Sequence, residues 1–427
     1  MTVAFQPICC AETGMNAALI FAKYNADTNL PMIGMQFIIA AWIFVLGACF
    51  GSFLNVVIYR LPAGMSLGKP KSRCPRCETP LAARDNIPVF GWIFLKGKCR
   101  YCQLPIAARY PIIESVCGGI FLALLFGELL TGATNLPLRH PDHFHVNPGF
   151  WLVWFAKWDL LGIYLYHCCL LIVVLAVAMI GFDQHPPQKR LTVFALIVGL
   201  VCGTMWPELR PVPGWFMYSK TFQSIGAGFE WTDTILNPGG RYWTGVTLVG
   251  FLDGILGLLG GAVFGRIVTW PLSQPKQTSS LTWPHIAAIH NSFLVTGAFL
   301  GWQACGMLAV ITLPTLAVIV FAIRQGITRF EERAIAPAFF AMLLTFLLVW
   351  SRLALASWMI GIDGWKFSSL SWQIDWIMTT AAMMLAALVF GRFVGQLCPI
   401  AEAQDETGEF GISSPTSSTD VQEQSES

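Results

Sequence analysis

Four cysteines in two C-x-x-C pairs are the residues of this chain whose type and spacing most clearly specify a chemistry. Cys74-Pro-Arg-Cys77 and Cys99-Arg-Tyr-Cys102 are separated by 21 residues of polar sequence. Two such knuckles bring four thiolates to one point, the ligand set of a tetrahedral structural zinc ion. A bound metal would supply folding energy to a segment with a negligible core of its own. The same spacing also fits a redox dithiol pair or reduced cysteines within a helix. Permanent disulfides are disfavoured if the segment faces the cytoplasm. The other cysteines have no ligand spacing and read as small apolar packing residues.

The elements that must position this block are apolar helices. Hydrophobic residues make up 55% of the 427 and charged residues 12%, with a mean hydropathy of +0.61, whereas soluble domains are about a quarter charged. Runs long enough to cross a bilayer lie at about 35–58, 111–132, 161–182, 191–208, 243–266, 292–307, 309–323, 336–355 and 376–393. The two meeting near 308 are short enough for a re-entrant pair or a tight hairpin. The expectation is therefore an all-α integral membrane protein, a polytopic helix bundle of eight or nine spans with a small cytoplasmic four-cysteine zinc-ribbon-like domain. Gly250, Gly254, Gly257, Gly260 and Gly261 are the small residues that let such helices approach closely.

Orientation follows from the basic residues. Segment 60–109 carries ten Lys or Arg against Glu78 and Asp85, which places it in the cytoplasm. Alternating spans then put Lys189, Arg190, Arg324, Arg329 and Arg333 on the same side, and loops 133–150 and 209–242 outside. Residues 1–34 lack the pattern of a cleaved signal peptide. The divisions expected are an N-terminal segment 1–34, a first span 35–58, the four-cysteine domain 59–109, a polytopic membrane domain 110–400 and an acidic, Ser-rich tail 401–427. The tail has too few apolar residues to order itself. The net charge of +2 says little about partners; no nucleic-acid partner is expected. There is no G-x-G-x-x-G after a strand, no Walker glycine loop and no H-E-x-x-H; His285 and His290 stand five apart with no Glu between them.

GSFLNVVIYRLP at 51–62, CPRC at 74–77, RDNIPVFGW at 84–92, KGKCRYC at 96–102 and PIAARYPIIESVCGG at 105–119 resemble, in order, the N-terminal third of the bacterial type IV prepilin peptidases. GAFLGWQA at 297–304 resembles a stretch just after that family's second catalytic motif. The resemblance implies a multi-pass aspartyl protease of the bacterial inner membrane. Its partners would be prepilin or pseudopilin substrates, membrane lipids and the pilus or type II secretion machinery. Many members of the family also methylate the new N-terminus with S-adenosylmethionine, and the cysteine domain is associated with that bifunctional form.

Aspartyl proteolysis needs two groups sharing one proton. AVAMIGFDQHPPQKRLT matches the family's first catalytic motif loosely and carries Asp183 into that role, at an expected cytoplasmic membrane boundary. His185 stands where the motif's second acid usually is. The ordinary alternative for Asp183 is a helix cap. The family's second motif, G-x-G-D followed by Lys, is missing: aligned on GAFLGW, its Asp falls at or beside Ile289 and His290. Asp253, near the middle of 243–266, is the intramembrane carboxylate considered as a substitute; otherwise it is a polar contact inside the bundle. Asp363 and Asp375 fall in an outer loop. The expectation is a leader peptidase using Asp183 with His290 or Asp253. The first rival is a catalytically degenerate relative that binds prepilins or acts in assembly, and the second is a membrane transporter. Asn55, Arg60 and Asn86 stand in family-like blocks; Arg60, Arg84, Arg100 and Arg109 could meet lipid phosphates or anchor the topology. Glu114 is expected to hold its span through polar contacts near the cytoplasmic face.

Overall fold

In a bilayer every backbone N–H and C=O must be satisfied within its own segment, so apolar runs fold as helices whatever their individual propensities. The structure, a computed structural model, describes residues 30–69, 72–74, 76–136, 158–212, 243–270, 283–324, 332–350 and 381–393. Among these residues there is no named strand, only two isolated bridges, Arg73 with Pro80 and Lys98 with Pro105. The helices are α1 (Leu30–Arg60), α2 (Phe90–Phe94), α3 (Arg109–Leu124), α4 (Trp158–Phe182), α5 (Lys189–Met205), α6 (Trp243–Thr269), α7 (Trp283–Leu300), α8 (Trp302–Arg324) and α9 (Ile335–Val349). A further apolar helix, α10, spans Ala381–Phe393. A π-helical turn, Leu125–Leu129, continues α3.

Five helices are long and apolar enough to cross a membrane: Gly34–Arg60, Arg109–Leu129, Leu160–Phe182, Gly250–Thr269 and Trp302–Phe321. The expected eight or nine spans thus reduce to five by this measure among the described residues. α5 is 17 residues long and starts on Lys189 and Arg190, short of the roughly 20 a crossing needs. α7 carries His285, His290, Asn291 and Ser292. The boundary expected near 308 lies instead at Gly301, whose φ of +90° suits glycine. Residues 302–324 are continuous helix. α8 folds back along α7, because the Cys305 thiol lies 3.6 Å from the Phe293 carbonyl oxygen, forming the tight hairpin.

α4 lies at the centre, apolar on all sides and largely buried. α1 and α3 run antiparallel: a Cβ at Gly47 would meet the Cys117 carbonyl, and one at Gly51 would meet Glu114 Cα. The opposite face of α1, with Phe37, Ile38 and Trp42, is exposed. α6 and α7 cross antiparallel on glycine, Gly257 against Gly297 and Gly261 against Phe293. One buried cation ties three helices: the Arg210 guanidinium donates to the carbonyls of Gly203 and Gly250 at 2.8 Å, and of Gly199 and Ala298 at 3.3 Å. Arg210 falls in the stretch expected to be an outer loop, yet its side chain is buried. The N-terminal segment before residue 30, the tail 401–427, Asp363 and Asp375 lie outside the described residues.

Candidate functional site

The four-cysteine lobe is built from two knuckles with the same backbone plan. In the first, the Glu78 amide donates to Cys74 O, the Cys74 amide donates to Thr79 O, and Glu78 has φ +54°. In the second, the Gln103 amide donates to Cys99 O, the Cys99 amide donates to Leu104 O, and Gln103 has φ +60°. The four sulfurs lie within 4.8 Å of one another, with Cys74 to Cys102 at 3.9 Å and Cys77 to Cys99 at 4.0 Å. A tetrahedron with metal–sulfur bonds of about 2.3 Å has edges of about 3.8 Å. The thiols therefore already sit at metal-ligand spacing and fit a single ion. The Thr79 hydroxyl and amide beside Cys77 pull its thiol down to about 6, and the Cys102 and Tyr101 amides lower Cys99. Both effects favour the thiolate a metal needs.

Between the knuckles, Arg100 grips the buried Asp85 carboxylate with two hydrogen bonds of 2.9 and 2.6 Å. This pairing holds the Asp85 carboxyl below the usual range. Trp92 Nε1 donates to Ile106 O at 3.0 Å, and Gly97 (φ +70°) packs against the indole. The lobe is fastened to the bundle at three places. Glu114 accepts the Val89 amide at 2.6 Å, the polar contact expected of it. Asn55 donates to Tyr110 O at 3.1 Å. Arg109 reaches Asp183.

Asp183 closes α4. The Gln184 amide donates to Gly181 O and the His185 amide to Ile180 O, with Gln184 at φ +63°. That is a Schellman closure with Gln184 in the left-handed position and Asp183 as the C-cap. An anion there faces the negative end of the helix dipole and needs a cation. Arg109 supplies it: Nη1 and Nη2 each lie 2.5 Å from one Asp183 oxygen, a bidentate pair of the strong kind. The pair is about a quarter exposed. Around it, the Gln184 amide nitrogen meets His285 Nε2 at 2.6 Å, and the Arg333 guanidinium lies 4.8 Å from the Phe182 ring centroid. Residues expected on one side of the membrane, Arg109, Asp183 and Arg333, are thus gathered at one end of the bundle.

The other acid–base candidates lie elsewhere. His285 and His290 are five residues apart on α7 and so point about 140° apart. His285, buried, faces Gln184; His290, half-buried, has its ring and carbonyl against Gly265 of α6. Asp253 is buried between Gly250 and Gly254, which pack on Gly203, Pro207 and Arg210. It stands about 18 Å along α6 from Gly265, at the far end of the bundle from Asp183. His285 belongs to no local motif, and its meeting with Gln184 is a contact between α4 and α7 that only the fold makes.

A second carboxylate lies in the same apolar run, 111–132, as Glu114. Glu128, in the π-helical turn, bonds His167 Nδ1 at 2.8 Å and Asn135 Nδ2 at 3.4 Å, and Asn135 also donates to Leu347 O. Glu128 and His167 are fully buried, and Glu128 Oε1, Asn135 Oδ1 and His167 Nε2 have no hydrogen-bond partner among the described residues. An acid and an imidazole forty residues apart in two apolar runs carry no motif, so only the fold pairs them.

Comparison with known proteins finds a likeness over one part of the chain. Residues 45–127 match the model of the Bacterial Peptidase A24 N-terminal domain. A "Prepilin leader peptidase/N-methyltransferase" of Myxococcus xanthus is 48% identical over 86 residues, 20% of this chain and 26% of the relative. One from Klebsiella pneumoniae is 45% identical over 117 residues, 26% and 50%. One from Neisseria gonorrhoeae is 41% identical over 101 residues, 18% and 35%. The chain thus spans half or less of the length of these relatives. No solved structure matches significantly.

Proposed function

We propose, from the match of residues 45–127 to the Bacterial Peptidase A24 N-terminal domain, that the chain is a multi-pass prepilin leader peptidase. It cuts the leader of a prepilin or pseudopilin at the cytoplasmic face of the bacterial inner membrane. The observation that carries this reading is the Arg109–Asp183 pair. Arg109 lies within the family segment, and Asp183 lies far downstream, at a helix end where an anion is otherwise unfavourable.

Asp183 serves as the base that takes a proton from water as the water attacks the scissile carbonyl. Arg109 orients the carboxylate and must release one oxygen for that step. A second group protonates the leaving amine. His290 and Asp253 remain assigned as candidates, but the contact of Gln184 with His285 favours His285, about one helical turn before Ile289 and His290, at or beside which the family's second Asp aligns. The four thiolates hold a structural zinc ion, whose contribution is to fix the lobe and through it Arg109. Methyl transfer with S-adenosylmethionine belongs to the proposal through the relatives' names alone, and no residue here is assigned to the methyl donor. Engagement with pilus or type II secretion machinery follows from the proposed substrate.

A second reading is that proteolysis is lost and the fold binds prepilins without cutting them. The missing G-x-G-D favours it. The experiment is cleavage of a prepilin-type substrate by the purified full-length protein, beside Asp183→Asn, His285→Ala, His290→Ala and Asp253→Asn. Loss in Asp183→Asn together with His285→Ala is expected. Full activity in Asp183→Asn removes Asp183 from the mechanism, and loss in His290→Ala alone moves the second role to that residue. No cleavage by the parent protein, with its metal bound, leaves the degenerate reading.

A further inference from the structure

We propose that α2 of the four-cysteine lobe is a membrane-inserted anchor, its partner the acyl–headgroup boundary of an anionic phospholipid surface. The lobe hangs between α1, which ends at Arg60, and α3, which begins at Arg109, so its distance from the bilayer is set by where the chain crosses those helices. Val89, the residue before α2, donates its amide to Glu114 at 2.6 Å. Glu114 is five residues inside α3, about 7–8 Å along its axis. Glu114 Cα also faces Gly51 of α1, nine residues before Arg60 and so about 13–14 Å from that helix's end.

α1, with 31 residues, is about 46 Å long, close to the full bilayer thickness of about 40–45 Å around a hydrocarbon core of about 30 Å. Helix ends of that length reach the outer edge of headgroup layers only about 5–8 Å deep. Val89, some 8–14 Å inside the helix ends, is then at the inner edge of the headgroup layer or just below it, and α2 continues from it.

The side chains suit that depth. Phe90 and Phe94 stack at 6.2 Å between ring centroids, and Phe94 is 72% exposed, the most exposed aromatic side chain of the lobe. Ile87 and Ile93 are exposed beside them. In water this apolar surface would be costly; at a bilayer interface it is the ordinary composition of an anchoring helix. Arg84, Lys96 and Lys98, all exposed, flank α2 in sequence, where basic residues meet lipid phosphates. The chain also accepts strain to reach this point: Val89, a β-branched residue, has φ +63° and ψ −56°, and Lys96 at the other end of α2 has φ +52°. Such conformations persist where surrounding contacts demand them; here the hydrogen bond that the Val89 N–H donates to the Glu114 carboxylate is the demand at Val89.

The test places a small fluorescent amino acid, through a reassigned codon, at Phe94, at Ile93 and at exposed Glu78 on the first knuckle. Each full-length protein goes into nanodiscs of phosphatidylcholine and phosphatidylglycerol with a nitroxide-bearing lipid labelled just below the headgroup. Most of the fluorescence should be lost at 94 and 93 and little at 78. Equal quenching at all three sites, or no quenching at 93 and 94, overturns the proposal.

Discussion

α6 and α7 cross where neither helix has room for a side chain. A Cβ on Gly297 would strike the carbonyl oxygen of Gly257 and come within 3.0 Å of that carbonyl's carbon and of Gly261 Cα. All three atoms are helix backbone, so no side chain can turn aside. Reaching ordinary contact requires the helices to separate by on the order of 1 Å, which forfeits dispersion contacts along the crossing. Overpacking of this kind costs about 1–3 kcal/mol, against about 0.5–1 kcal/mol gained by replacing glycine within a helix. Gly297→Ala is therefore expected to destabilise the bundle by about 1–2 kcal/mol. Gly119, on α3, has no heavy atom within 4 Å of an added Cβ. Gly119→Ala should keep only the helical gain, about 0.5–1 kcal/mol. Thermal unfolding of purified full-length protein in one detergent, followed by intrinsic fluorescence, should order the midpoints Gly119→Ala, parent, Gly297→Ala from high to low. A Gly297→Ala midpoint at or above the parent's would refute the close crossing.

Three further outcomes are expected. Because Arg100 depresses the Asp85 carboxyl, its stabilisation is fully present above the unfolded value of about 3.9 and fades as pH falls through the lower folded value; Asp85→Asn should be less stable than the parent at pH 7 and converge with it in acid, as read by proteolysis of the lobe. Cys99→Ser removes one of four thiolates, so metal bound per chain should fall from one in the parent to well below one, measured by atomic spectroscopy after gel filtration. His167→Ala strips the buried Glu128 of its partner and should cost about 3–5 kcal/mol, whereas a double change of Glu128 and His167 to leucine should recover most of that, both read by unfolding midpoints.

The sequence exposed what depends on local spacing. The C-x-x-C pairs indicated four thiolates that the fold brings together, and the glycines at 250–261 indicated close helix contact, which Gly257 and Gly261 make with α7. The basic residues placed Arg109, Asp183 and Arg333 on one side, and they do cluster. What was not legible depends on helical phase and non-local packing. Hydropathy alone put the α7–α8 boundary near 308, because the run is apolar across Gly301 and only a positive φ breaks it. Asp253 drew attention as an intramembrane carboxylate, while Glu128, as deeply buried, went unnoticed until His167 appeared beside it. His285 had no motif of its own; the contact of Gln184 with it exists only once α4 and α7 are packed.

The most direct test of the account is the mass of a prepilin-type substrate after incubation with the full-length protein and with Asp183→Asn. The account predicts a product shortened by its leader with the parent and uncut substrate with the variant. Equal cleavage by both would contradict the role of Asp183, and with it the meaning assigned to the Arg109 pair.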